Sequence, residues 1–267
     1  MLSGAFDSAV SWATRPYAAI RDVADREGSI AVVPVGSVEQ HGHHLPVATD
    51  SILAATVGTE GAERAADDVP VLVTPPVWTG YSPHHLAFGG TVTVEHETLR
   101  TLLEDMADAV LSNGFDTLLF LNGHGGNASL VESVTSTVGV DHPDAEILGL
   151  TYFDLAEPFA DELRDSDPGG MAHGGEFETS LLLHLYPDLV GEDRAGSMPE
   201  EPYDDAPVDL FGGGPLSVYR PFGDYSESGA IGAPELASAE KGAKLYDGTA
   251  DELAELLRDV HRHVTDE

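Results

Sequence analysis

A chain of 267 residues with 42% hydrophobic content can bury a sizeable core, and with no linker-like stretch it reads as one α/β domain over residues 1–267. The absence of cysteine excludes disulfides, thiolate metal ligands and a cysteine nucleophile, so any metal must be held by oxygen and nitrogen. Forty-seven acidic residues against twelve basic ones, a formal net charge of -35, disfavour nucleic-acid binding, and the lack of a signal-peptide pattern or of an apolar run long enough for a bilayer points to a cytoplasmic protein without membrane contact.

The first predicted element is the run Ser29 to Gly36, which is short, β-branched and ended by glycine, as a buried strand would be. Glu39-Gln-His-Gly-His-His-Leu-Pro-Val-Ala-Thr-Asp50 follows, packing a carboxylate, an imidazole and a second carboxylate into a short turn. Open α/β sheets place their ligands at this end of a strand. A helix is expected from about Ser51 to Ala66, and Asp50 could alternatively serve as its N-cap. Val69 to Thr74 reads as the next strand. Leu99, Leu102, Leu103, Met106 and Val110 fall at helical spacing between Glu97 and Asn113, giving one core-facing stripe.

Phe115 to Asn122 reads as another buried strand, and Gly123-His-Gly-Gly-Asn127 separates it from a helix running from Ser129 to about Val138. The glycine-rich run could instead cradle an anion at that helix start, although no Walker lysine accompanies it. Ala145 to Tyr152 is the next strand. Ala172-His-Gly-Gly-Glu-Phe-Glu-Thr-Ser180 opens a helix from Glu176 to Leu185, and a terminal helix is expected from about Asp247 to His263. Between them, Glu192 to Gly232 is rich in Gly, Pro and acidic residues, predicting an irregular segment that covers either the active site or a neighbouring subunit. The alternation of elements predicts a mostly parallel central sheet with helices on both faces, a three-layer α/β/α fold.

Glu39, His41, Asp50, His124, His173 and Glu178 form a mixed nitrogen and oxygen set suited to zinc, manganese or iron. Six such groups exceed the needs of one tetrahedral ion. Two divalent ions sharing a bridging carboxylate would use them, and such pairs activate water for hydrolysis. His173, with an ordinary pKa near 6.5, is the natural proton shuttle to a departing nitrogen. Of the spare histidines, His44 is better placed than His43 to support a ligand. His96, His142, His184, His261 and His263 stand outside the motifs and read as surface or packing residues.

The succession Pro34-Val-Gly-Ser-Val-Glu-Gln-His-Gly-His-His-Leu-Pro46 with Thr49-Asp50, then Gly80-Tyr-Ser-Pro-His-His85 with Phe88-Gly-Gly-Thr91, then Asn122-Gly-His-Gly-Gly-Asn127, then His173-Gly-Gly-Glu-Phe-Glu-Thr-Ser180 resembles the creatininase family of metal-dependent amidohydrolases. The likeness runs from about Ile30 to Ser180 and is less clear from Gly191 to Ala233. It implies a layered α/β fold, a dinuclear metal centre, often a hexamer, and cleavage of a carbon–nitrogen bond in a small non-peptide amide. By the resemblance Glu39 and His124 bind one metal, His41 binds the other and Asp50 bridges them, while Ser82, His85 and Gly125 meet the substrate. Where creatinine-cleaving members carry a glutamate that binds the second metal, this chain has Gly126, and Glu178 is the expected replacement. Those members also close a tryptophan over the substrate from the loop before His173; here that loop is Asp167 to Met171, and the chain has only Trp12 and Trp78. The family includes an archaeal formylaminopyrimidine ribotide deformylase of riboflavin and deazaflavin-cofactor biosynthesis, which is an alternative. A non-catalytic metal-binding subunit of a peptide-modification pathway is another.

The acidity is dispersed in Glu60 with Glu63, Asp67-Asp68, Asp161-Glu162, Glu200-Glu201 and Asp204-Asp205, and lysine occurs only as Lys241 and Lys244. That pattern suggests a halophile's cytoplasm, where concentrated salt screens self-repulsion. A basic macromolecular partner would instead predict one concentrated patch.

Overall fold

The computed structural model describes residues 8–198, 203, 208–211 and 215–266; the acidic pairs Glu200-Glu201 and Asp204-Asp205 lie outside the described residues. Four strands, β1 (Ile30–Val35), β2 (Val71–Val73), β3 (Thr117–Asn122) and β4 (Glu146–Thr151), form one parallel sheet in the order β2-β1-β3-β4. Ile30 stands opposite both Val71 and Thr117, and Thr117 opposite Glu146.

Every residue of β1 and β3 is buried, because helices cover both faces of the sheet. On one face Ile30, Val32, Leu119 and Leu121 pack against α2 (Thr49–Ala65), α6 (Glu176–Leu185) and α7 (Ala239–Asp266) through residues such as Leu53, Val57, Leu181 and Leu253. On the other, Ala31, Val33, Val35, Leu118 and Phe120 pack against α1 (Tyr17–Ala24), α3 (His96–Leu111) and α4 (Ala128–Asp141). Successive strand residues point to opposite faces, so an unbroken apolar run supplies two cores at once. At roughly 1.5–3 kcal/mol for each fully buried aliphatic side chain, these two cores outweigh any local propensity along the strands. A short helix, α5 (Glu157–Leu163), follows β4.

The chain leaves β1 toward β2 on one side and then crosses back to place β3 on the other. The connections therefore diverge between the carboxyl ends of β1 and β3, which opens a crevice there. Both predicted metal-binding turns leave from these two ends.

Two predicted elements change their bounds and one predicted stripe changes its membership. β2 is only Val71–Val73, since Pro70 lacks the N–H that a longer ladder would use. The terminal helix starts at Ala239, well before Asp247. Gly242 and Gly248 read as breakers in sequence, but a side chain at either would strike Ser180 of α6 or the Phe159 ring, so they allow close helix packing. Leu102 departs from the expected stripe and is 37% exposed, leaving Leu99, Leu103, Ala107 and Val110 to face the core.

Arginines are spent on several carboxylates each: Arg64 on α2 holds Glu60 at 2.9 Å and reaches Asp247 and Asp251 on α7 at 2.9 and 2.8 Å. With a net charge of -35 most carboxylates repel one another. The Debye length shrinks from about 10 Å at 0.1 M salt to about 3 Å at 1 M, so the thermal midpoint is expected to climb between dilute and molar potassium chloride. Scanning calorimetry across that range checks this, and a flat or falling midpoint contradicts it. No helix among the described residues is long and apolar enough to cross a membrane.

Candidate metal centre

The loop after β1 folds back on itself, with the Glu39 N–H donating to the Val47 carbonyl at 2.8 Å, and this carries Glu39 and His41 beneath the end of the strand. At the end of β3 the Asn122 side chain accepts from the His124 N–H at 3.1 Å and donates to the His124 carbonyl at 2.8 Å. That grip turns the His124 ring inward. Gly123 is needed beside it, because a Cβ there would lie 2.6 Å from the Asp50 carbonyl. Asp50 sits inside the first turn of α2, where the helix dipole favours a carboxylate; the cap position belongs to Ala48, so Asp50 is not the N-cap. The first turn of α6 supplies Glu178, and the loop before it supplies His173.

Five of the six predicted groups converge tightly and the sixth reaches them through His41. His41 Nε2 lies 3.0 Å from Asp50 Oδ1 and 3.8 Å from Glu178 Oε1. His124 Nδ1 lies 3.1 Å from Glu39 Oε1 and 3.4 Å from Asp50 Oδ2, and His173 Nδ1 lies 3.5 Å from Glu39 Oε1. Glu39, His41, Asp50, His124 and Glu178 are all buried. Yet both Glu39 oxygens, Asp50 Oδ2 and His41 Nε2 make no hydrogen bond of acceptable alignment.

The outward nitrogens explain why. His41 Nδ1 is 3.1 Å from the Glu39 carbonyl, His124 Nε2 is 3.2 Å from the Tyr81 carbonyl, and His173 Nε2 is 2.7 Å from the Gln40 carbonyl. A carbonyl only accepts, so each ring donates outward and a neutral ring turns a bare lone pair inward. Lone pairs and carboxylates facing one another in a buried space require a cation between them. Without metal that cation is a proton. Burial alone would lower the pKa values of His41 and His124, but Asp50 and Glu178 raise the first and Glu39 and Asp50 raise the second to about 10. Burial likewise opposes ionisation of Asp50, yet His41 and His124 hold it well below the usual carboxylate range. His173 goes the other way: burial, then the neighbouring His41 and His85, push it well below 6.5 and keep it neutral.

A sign follows for the metal-free protein. An imidazole whose pKa is raised on folding contributes stability fully below about pH 6.5 and loses it as pH rises through the folded value, about 10 for His124. The urea midpoint of chelator-treated protein should therefore fall between pH 7 and 9.5. Metal-loaded protein, in which ions replace those protons, should fall much less; equal slopes in the two forms would contradict the site.

Around the centre, Ser82 takes a place that sequence did not foresee. It is buried beside His124, with its hydroxyl 3.0 Å from His124 Nε2 and 2.6 Å from Ser37 Oγ, so it steadies the ring. His85 is buried with Nε2 3.3 Å from Glu39 Oε1, and burial lowers its pKa to about 2. Gly125 is exposed, with open space over its Cα. Gly126 cannot carry a side chain here, because a Cβ would strike the His124 ring and lie 2.9 Å from the Tyr81 carbonyl. Glu178 Oε2 accepts from the Gly174 N–H at 2.6 Å, leaving Oε1 turned toward His41. His44 Nε2 is 3.1 Å from the Gly174 carbonyl and 2.9 Å from Thr179 Oγ1, bracing the same turn, whereas His43 is exposed beside Asp193 at 2.8 Å. An anion cradle at Asn122–Asn127 is not what forms: Asn127 ties Gly36 and Tyr81 together, and His124 faces carboxylates.

Two further residues join that sequence reasoning passed over. His84 can share a metal position with Glu39 and His124; its only signal was the tandem His84-His85 after Pro83. Phe222 arrives from the segment Glu192–Gly232 and roofs the histidines, its ring centroid 4.1 Å from His85, 5.0 Å from His173 and 5.9 Å from His84. That segment is tied down where the Ile231 N–H donates to the His173 carbonyl at 2.7 Å. Its described part thus covers this chain's own centre.

A family model described as creatininase, creatinine amidohydrolase, matches residues 15–257. The chain is 32% identical over 226 residues to a mycofactocin precursor peptide peptidase of Mycobacterium ulcerans (strain Agy99), spanning 83% of this chain and 81% of that protein. It is 30% identical over 256 residues to the 3-dehydro-scyllo-inosose hydrolase of Thermotoga maritima, spanning 88% and 78%. With the creatinine amidohydrolase of Pseudomonas putida it shares 30% identity over 250 residues, spanning 86% and 89%. Among solved structures, a manganese creatininase superimposes with a TM-score of 0.80 at 28% identity, over 94% of this chain and 98% of that one. A mutant creatininase of Zn-Zn type does so with a TM-score of 0.80 at 27% identity, over 95% and 98%.

Proposed function

This chain belongs to the creatininase family, and from that premise we propose that it is a dinuclear metal-dependent amidohydrolase acting on a small non-peptide amide. The observation that carries the reading is the set of buried Glu39 and Asp50 oxygens, with the inward nitrogen of His41, left without hydrogen-bond partners. Glu39, His124 and Asp50 would hold one divalent ion, and His41, Asp50 and Glu178 the other, with zinc, manganese or iron all compatible with such donors. When bound, such ions lower the pKa of water and polarise a carbonyl oxygen.

The protein's own groups do the rest. Neutral His173 offers Nδ1, beside Glu39, to take the proton of the attacking water and return it to the nitrogen that departs. Because an amide nitrogen is a poor leaving group, that second transfer is what lets the carbon–nitrogen bond break. Gly125 leaves room for the substrate, and Phe222 with Phe88 roofs the approach, which favours a compact amide over an extended chain. A roof of this kind accepts a flat ring such as creatinine or a short formamide.

Assay of the metal-loaded protein against creatinine, a formylaminopyrimidine ribotide and a short peptide decides the class. Turnover of one of the first two, abolished by a chelator and restored by zinc or manganese, is expected. Cleavage of the peptide alone would move the assignment to the peptidase side of the family, and no turnover of any amide would favour a non-catalytic subunit. A homo-oligomer, a hexamer by family resemblance, is the expected working form, and sedimentation velocity tests it.

A further inference from the structure

The histidines around the centre do not all present the same face, and Gln40 is the reason. Its side chain is buried, with Oε1 2.9 Å from the Gly42 backbone nitrogen and Nε2 2.9 Å from the Gly229 carbonyl. A backbone N–H can only donate and a carbonyl can only accept, so these two main-chain groups fix which end of the amide is which. The second hydrogen on Nε2 then points to His85 Nδ1 at 2.7 Å, the shortest of its contacts. His173 Nε2, at 3.3 Å from the same amide, already donates to the Gln40 carbonyl.

An imidazole nitrogen that receives an N–H must be bare, so neutral His85 carries its hydrogen on Nε2. That atom lies 3.3 Å from Glu39 Oε1. His41, His124 and His173 do the reverse, spending their N–H groups on carbonyls outside and turning lone pairs inward. Distance alone would group His85 with Glu39 and His173 as metal ligands; hydrogen-bond logic removes it.

We propose that Gln40 is a positioning residue that locks His85 as an N–H donor facing the centre, so that His85 offers that hydrogen to a substrate oxygen beside Glu39 and does not ligate metal. The inference rests on the metal-centre reading above for its functional meaning, but the tautomer itself does not depend on it. The lock extends to the roof segment. Gly229 has a φ of +91°, and a Cβ there would overlap the Gln40 amide, so only glycine lets this carbonyl approach.

Multiple-bond proton–nitrogen correlation spectra of protein labelled with 15N-histidine test it, in metal-free and in cadmium-113-loaded samples. In both, wild-type His85 is expected to show the Nε2–H pattern, with no one-bond cadmium–nitrogen coupling, while His41 Nε2 and His124 Nδ1 couple to cadmium. Gln40→Glu, whose carboxylate can only accept, should move the His85 hydrogen to Nδ1, and Gln40→Leu should give a mixture of tautomers. Cadmium coupling to His85, an Nδ1–H pattern in wild type, or an unchanged pattern in folded Gln40→Glu would overturn the proposal. The wild-type spectra decide it even if a variant does not fold. Absence of coupling to every histidine would instead overturn the metal centre, with the tautomer still read from the metal-free spectra.

Discussion

Asp50→Asn is expected to bind fewer than two ions per chain by elemental analysis and to lose at least roughly a hundredfold in turnover, the scale on which removal of a directed electrostatic group acts in enzymes. The reason is that the two Asp50 oxygens face different imidazoles, Oδ1 at 3.0 Å from His41 and Oδ2 at 3.4 Å from His124. Among the described residues, no other carboxylate lies within ion-pair distance of both His41 and His124. An asparagine keeps the shape but replaces one oxygen by an N–H donor and removes a full negative charge. It would therefore turn hydrogens toward a space built to hold cations. Retention of two ions with normal turnover would mean that Asp50 is a packing residue of α2 and does not bridge the two ions.

Glu178→Gln and His173→Asn should separate by metal content. Glu178 Oε1 faces His41 while its Oε2 is anchored by the Gly174 N–H at 2.6 Å, and no side chain can stand at Gly126 to take its place. The neutral amide should thus deplete one ion and lower turnover by orders of magnitude. His173→Asn should retain both ions and lose roughly a hundredfold to ten-thousandfold in turnover, the range for general acid–base groups. If Glu178→Gln keeps both ions and His173→Asn loses one, the roles exchange and His173 becomes the ligand.

What could be read in the sequence was whatever repeats locally or sits in one turn. The apolar runs of β1 and β3 announced a sheet covered on both sides, and Glu39, His41 and Asp50 lay within one loop and the start of one helix. Phe222 and Gln40 were invisible for the opposite reason. Phe222 stands in a coil with no periodicity, and its role exists only because the chain returns from beyond α6 to the ends of β1 and β3. Gln40 sits inside the motif, yet its partners are His85 and Gly229, far along the chain. The contact of Ser82 with the His124 ring was not legible because a motif says which residues gather at a site without saying which of them brace a ligand. The start of α7 was missed since a glycine that weakens an isolated helix can be what lets two helices touch.

The divergence of the chain between β1 and β3 also sets when the centre can exist. Its groups come from Glu39, Asp50, His124 and Glu178, so no two neighbouring elements can assemble it, and the loops to be closed are long. Closing such loops costs chain entropy that must be met by packing before any ion finds its full complement of donors. Only Glu39, His41 and Asp50 are near one another in sequence, so an ion would meet its full set of donors late in folding. Once captured, such an ion would behave as a removable cross-link across the middle of the chain, and would stabilise chiefly the finished state by mass action. Its grip should show in how slowly the loaded protein unfolds, and hardly at all in how fast the empty chain folds.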